Sequence, residues 1–178
     1  WISEMSRGFT LDHKVFTIGY SQYTKEAGIL NQFIRYETML TALSCFGIGF
    51  MGNPYMGVGR NLAYKKSFFL SKNGFGKYQS VIGGDDNLFV NMHATRVNTA
   101  FVLSKDATVY STPKHTLQEY IIQKTRHLSV SKYYRLADKL LLGILNLSKM
   151  LFWLCLATAI MSAGKTIYVA GGVFLGFG

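Results

Sequence analysis

Residues 140–163, LLLGILNLSKMLFWLCLATAIMSA, form a run of 24 in which Lys149 is the one charged side chain. A bilayer core needs about 20 apolar residues in helix, so the run is long enough to cross a membrane. Lys149, with Asn146 and Ser148, weakens its central part, because an uncompensated lysine at mid-bilayer costs about 2.5–3.5 kcal/mol on insertion scales. Two registers follow. Either the helix spans from about Leu140 with Lys149 facing protein, or an amphipathic interfacial segment precedes a span that begins near Met150. A buried core helix is the plainer alternative, but residues 150–163 are uncharged and a further apolar run follows Gly164-Lys165, which favours a membrane. Lys114, Lys124, Arg126, Lys132, Arg135 and Lys139 precede the span closely. Excess Lys and Arg mark the cytoplasmic side, so the folded part is expected to face the cytoplasm, where anionic lipid attracts it.

The chain has 178 residues, 49% apolar and 16% charged, which excludes an acidic solvating chain and fits one compact domain with a buried core. Lys and Arg number 19 against 9 Asp and Glu, a net charge of +10 that points to anionic partners. Cys45 and Cys155 lie far apart with no C-x-x-C spacing, so neither a disulfide framework nor a zinc site is indicated. A reducing compartment fits. Trp1 at the start, and an apolar run still open at Gly178, suggest an internal piece of a longer protein.

Local patterns predict a mixed α/β chain. Residues 14–20 alternate as a half-buried strand, and the apolar positions from 27 to 46 fall at spacings of three and four, as in an amphipathic helix. Gly47, Gly49, Gly52 and Pro54 then interrupt the helical pattern, and residues 55–64 read as a second strand. A loop over 71–84 leads to a helix starting at Asp85. Strands at 99–103 and 107–111 flank a Lys105-Asp106 turn, and Thr116-Leu117-Gln118-Glu119 is a capping box opening a helix that includes residues 123–127.

Three constellations can carry chemistry. Gly83-Gly84-Asp85-Asp86-Asn87 sets two carboxylates at a helix start, where free N–H groups keep an aspartate ionised and able to accept a proton. A helix cap is the commoner use of such residues. Gln123 and Arg126, three apart, share a helix face on which the arginine fork can grip an anion, with His127 beside them and Lys124 on a different face. Contact with lipid headgroups is the plainer reading of that basic helix. Gly57-Val58-Gly59-Arg60-Asn61 lacks the spacing of a phosphate loop. The four histidines show no metal-ligand spacing, and no G-x-S-x-G serine motif occurs.

In this order and ahead of a span, the three motifs resemble the second half of a membrane-attached bacterial family 2 glycosyltransferase. The resemblance covers about residues 15–163. Gly57-Val58-Gly59-Arg60-Asn61-Leu62-Ala63-Tyr64-Lys65-Lys66 is similar to the family's segment near the acceptor cleft, Gly84-Asp85-Asp86-Asn87-Leu88-Phe89 to its acidic motif, and Gln123-Lys124-Thr125-Arg126-His127 to its Q-x-x-R-W motif. His127 stands where the family has tryptophan. Leucine spacing makes Asp85 the counterpart of the catalytic base, whereas reading the pair as D-D selects Asp86. The family's D-x-D, which holds a divalent metal (Mg or Mn) on the donor diphosphate, occurs nowhere in these residues.

The resemblance implies an α/β fragment of the glycosyltransferase A (nucleotide-diphospho-sugar transferase) fold followed by one or more transmembrane helices. Its expected parts are the acceptor-side half at 1–127, a basic interfacial segment at 128–139, and a membrane region at 140–178 with a second helix truncated. The implied activity is inverting transfer of a sugar from a nucleotide-sugar donor to an acceptor hydroxyl, on a sugar or lipid-linked acceptor, in cell-envelope polysaccharide or glycolipid synthesis at the cytoplasmic face of the inner membrane. Alone, this part is expected to be inactive. Asp85 or Asp86 would be catalytic, and Arg60, Asn61, Gln123, Arg126 and His127 would bind substrate. A non-enzymatic membrane-anchored scaffold or binding protein is the alternative. The apolar C-terminal run argues against a basic nucleic-acid binder.

Overall fold

The computed structural model describes residues 1–11, 13–76, 81 and 84–176, those after Ser162 as backbone only. The chain divides into two compact units, Trp1–Arg135 and Leu136–Gly178. The first is mixed α/β with two small sheets. Strand β1 (Phe16–Gly19) lies between β3 (Leu62–Tyr64), antiparallel to it with Phe16 opposite Tyr64, and β4 (Thr99–Val102), parallel to it with Phe16 opposite Thr99. Strand β2 (Ser21–Tyr23) pairs in parallel with β5 (Val109–Ser111) in a separate sheet. The predicted strand at 14–20 thus ends at Gly19, and all four residues of β1 are buried rather than half-buried. A central strand covered on both faces has no solvent side to alternate toward.

Helix α1 (Ile2–Arg7) precedes β1, and α2 (Ile29–Phe50) follows β2. Helix α2 continues through Gly47 and Gly49, which the sequence reading treats as interruptions. The reason at Gly49 is a close approach, because a Cβ there would stand 2.3 Å from the Phe101 ring of β4. The expected strand at 55–64 pairs as a strand only at its end. Its middle is a 3-10 turn, Gly59–Asn61, leading into β3.

Aromatic packing fixes the core. Helices α3 (Lys66–Ser71) and α4 (Asp85–His93) bring Phe68 and Phe89 onto Phe16, with ring centroids 5.6 and 5.5 Å away, and Tyr64 lies 5.2 Å from Phe89. Edge and tilted ring pairs of this kind contribute about 0.5–1.5 kcal/mol each beyond area burial. Leu88, Phe89 and Val90 anchor α4, so its first turn, with Asp85 and Asp86, is held at a fixed place on the sheet. Part of the predicted loop at 71–84, including Gly83, lies outside the described residues.

Helix α5 (Leu117–Ser129) starts as its capping box requires, the Thr116 side chain accepting from Glu119 N–H at 3.2 Å. A 3-10 turn, Val130–Tyr133, follows. In the second unit, α6 (Leu136–Gly176) is one uninterrupted helix, through Met150 and through Gly164-Lys165, where the sequence reading places the start of a second. Its stretch Leu136–Ser162 is long and apolar enough to cross a membrane.

Phe16 is fully buried at the centre of the ring cluster. Phe16→Ala is expected to cost about 3–5 kcal/mol, read from denaturant unfolding of the detergent-solubilised chain. A loss below about 1 kcal/mol would place the core elsewhere.

Candidate active site

Two glycines let the three motifs meet. At Gly59 a Cβ would lie 1.7 Å from Asp86 Oδ2, so only the missing side chain admits the carboxylate. At Gly84, the residue before α4, a Cβ would stand 2.3 Å from a Val130 methyl, just beyond α5. The acidic motif therefore abuts the glycine-bearing turn on one side and the end of the basic helix on the other.

Asp86 is half-buried. Its Oδ1 accepts from Asn87 N–H at 2.8 Å. Desolvation nevertheless raises its pKa above the ordinary carboxylate value, with the charge of Asp85 adding, against the lowering from N–H groups including those of Asn87 and Gly59. Burial outweighs these N–H groups at Asp86, so the shift is upward although a helix start by itself lowers a carboxylate. Asp85, also half-buried, has no side-chain hydrogen bond among the described residues. The Tyr64 hydroxyl is pushed up by burial and then by Asp85 and Asp86, which locates that ring beside both carboxylates.

Asn61 is fully buried. Its amide nitrogen donates to Tyr20 O at 2.6 Å and to Ala107 O at 2.7 Å, and its oxygen accepts from Trp1 Nε1 at 2.8 Å. With both donors committed within the fold, Asn61 holds the turn, and the half-buried Arg60 packs beside it. The Arg60 guanidinium lies 4.5 Å from the centre of the Tyr23 ring, and its buried Nη1 has no hydrogen-bond partner among the described residues.

On α5, Tyr120, Lys124 and His127 recur at helical spacing and share a face. Lys124 pairs with Glu37 of α2, Tyr120 packs on Phe33 at 5.9 Å, and Thr41 Oγ1 donates to Glu37 Oε1 at 3.2 Å. Burial, then the charge of Glu37 and a hydrogen bond to it, push the Tyr120 phenol up to about 12. His127 is lowered by desolvation and then by Arg126, Lys124 and Arg60, which favours a neutral imidazole near Arg60. Gln123 is half-buried and Arg126 exposed, and neither side chain has a hydrogen bond or ion pair among the described residues. Lys124, on a face apart from Gln123 and Arg126, joins α5 to α2.

The structure thus adds Tyr23, Glu37 and Tyr120 to the residues the sequence singled out. Of these only Glu37 left a trace, as the last charge before a long uncharged stretch of α2. Among the described residues no three His, Cys, Asp or Glu side chains gather to hold a metal ion. Asp85 and Asp86 supply only two carboxylates, so the cation implied by the resemblance does not fit the residues present. A cavity of about 400 Å³ between α1 and β4 is lined by none of the motif residues. No family model, curated protein or solved structure matches the chain.

Asp86 binds its proton more tightly folded than unfolded. Between the ordinary carboxylate pKa and its raised folded value the folded chain carries more protons, so this group's contribution makes stability fall as pH rises through that window. Asp86→Asn is expected to remove that slope and raise stability at neutral pH, read by denaturant unfolding at several pH values. An Asp86→Asn chain no more stable than the parent at neutral pH would refute it. Gly59→Ala should destabilise, and by less in an Asp86→Ala background, because the clash then loses its partner.

Proposed function

We propose that this chain is the acceptor-side part of a membrane-attached family 2 glycosyltransferase with the glycosyltransferase A fold, catalysing inverting sugar transfer from a nucleotide-sugar to an acceptor hydroxyl. The observation that carries the reading is the meeting of the three motifs: Asp86 against Gly59, Gly84 against Val130, and Arg60 near His127. Residues so separated in sequence have no need to share one place if they are only a cap, a bulge and a lipid contact.

In this reading Asp85 takes the acceptor's hydroxyl proton as its oxygen bonds to the anomeric carbon. The bond from that carbon to the diphosphate breaks, and the nucleoside diphosphate leaves. Asp86, held by Asn87 and Gly59, positions the helix start on which Asp85 stands. The exposed fork of Arg126, with Gln123, Arg60 and neutral His127, steadies the leaving charge. The D-x-D and its cation belong to donor-binding residues outside these 178, and no step here is routed through them. In this reading the reaction takes place at the cytoplasmic face of a bacterial inner membrane, with a cell-envelope polysaccharide or glycolipid as product, and the cations before α6 support that sidedness.

In the intact enzyme, Asp85→Asn is expected to lower turnover about 10²-fold or more with little change in nucleotide affinity. Arg126→Lys should also cut transfer sharply, because an ammonium cannot make the two directed hydrogen bonds of the fork. Full activity in Asp85→Asn, with loss confined to Asp86→Asn, moves the base to Asp86. Full transfer in Arg126→Lys defeats the diphosphate role and leaves a charge-only lipid contact, as in the scaffold alternative.

A further inference from the structure

The outer face of α2 is apolar and, among the described residues, largely uncovered, with Phe33 meeting Tyr120 and Phe50 meeting Phe101 at its margins. Between Glu37 and Arg60 the sequence has no charged residue, and the second half of α2 lies in that stretch. Positions 29, 33, 36, 40, 43, 47 and 50 recur every three or four residues and form one stripe. Along it Ile29 is 85% exposed, Leu43 62% and Phe50 60%, with Phe33 and Tyr36 exposed between them. The opposite side, with Ile34, Cys45 and Ile48, is buried. A helix of 22 residues is about 33 Å long, so the stripe is a continuous patch and not a scatter of single side chains.

Three observations select a lipid surface as what covers it. Helix α5, tied to α2 by Glu37 with Lys124 and by Phe33 with Tyr120, also exposes Leu117, Ile121 and Leu128. Only residues 130–135 join α5 to α6, whose stretch Leu136–Ser162 is long and apolar enough to cross a membrane, so the chain itself ties this unit to a membrane-competent helix. The net charge of +10, with Arg126 and Lys132 exposed on and after α5, complements anionic headgroups. The uncharged part of α2, residues 38–50, is too short for a core that needs about 20 residues, and one of its faces is buried in protein, so it cannot cross.

We propose that α2 lies in the plane of the membrane, its outer stripe set into the boundary between headgroups and acyl chains of an anionic bilayer. The inference rests on α6 and on the exposed stripe, and it stands or falls separately from the catalytic reading.

The test uses the full chain in phosphatidylcholine vesicles containing phosphatidylglycerol. Cys155 is replaced by serine, and Cys45 is buried and takes no label. Spin labels are placed singly at Leu43→Cys and Phe50→Cys, with Lys105→Cys on an exposed 3-10 turn as the water-facing control. Collisions with oxygen, which enriches in lipid, are compared with collisions with a water-soluble nickel chelate. The expected result is loss of chelate access with retained oxygen access at positions 43 and 50, and the reverse at 105. Chelate access at 43 and 50 equal to that at 105 would overturn the proposal. Shielding from both reagents would overturn it too, by showing a protein cover such as a second copy of the chain.

Discussion

The buried amide of Asn61 is the contact on which the rest of the first unit depends. It takes the Tyr20 carbonyl, where β1 gives way to β2, and the Ala107 carbonyl, just before β5. One side chain therefore joins the three-stranded sheet to the two-stranded one. Each such hydrogen bond adds a net stabilisation of about 0.5–1.5 kcal/mol, but leaving a buried partner unpaired costs about 1–3 kcal/mol. The larger penalty makes the position stringent. Since Gly59 and Arg60 are its immediate predecessors in the same turn, the amide also fixes where Asp86 finds its seat and where the guanidinium stands.

Charge is distributed to match. The chain has about two cations for each acid, yet three half-buried acids, Glu37, Asp85 and Asp86, lie among the motif residues and their neighbours. Glu37 is balanced by Lys124, whereas the two aspartates have no basic partner at hydrogen-bonding distance among the described residues. Burial without a counter-ion raises proton affinity at Asp86, while cationic neighbours and desolvation lower it at His127. The two groups are thus moved toward one another in proton affinity, by burial in both cases and at His127 by the surrounding cations as well.

Much of the helical framework was legible in the chain. The start of α4 at Asp85 follows from glycine, then acids, then an apolar face, and the start of α5 follows from the Thr116 capping box. The apolar run signalled α6 by length alone. Gly49 misled because a glycine that ends a helix and one that makes room for Phe101 are identical in sequence. The same limit hid the pairing of β2 with β5, whose partners are far apart in the chain. At the site, the three motifs were readable as motifs, but the contacts of Gly59 with Asp86 and of Gly84 with Val130 are tertiary. Tyr23 and Tyr120 carried no local signal because their neighbours are supplied by other elements.

The contact at Gly84 has a mechanical side. Packed methyl groups resist compression steeply and separation only weakly, through dispersion. Val130 is therefore a firm stop against the first turn of α4 and a weak hold on it. Further along α4, the buried Asn91 is bonded to Arg135 N–H at 2.9 Å and to the Tyr55 carbonyl at 2.9 Å, so that end is tethered in both directions. With Leu88, Phe89 and Val90 buried as well, α4 is a rigid strut, so a side chain added at Gly84 has to be relieved by Val130 and the turn that carries it and not by the helix.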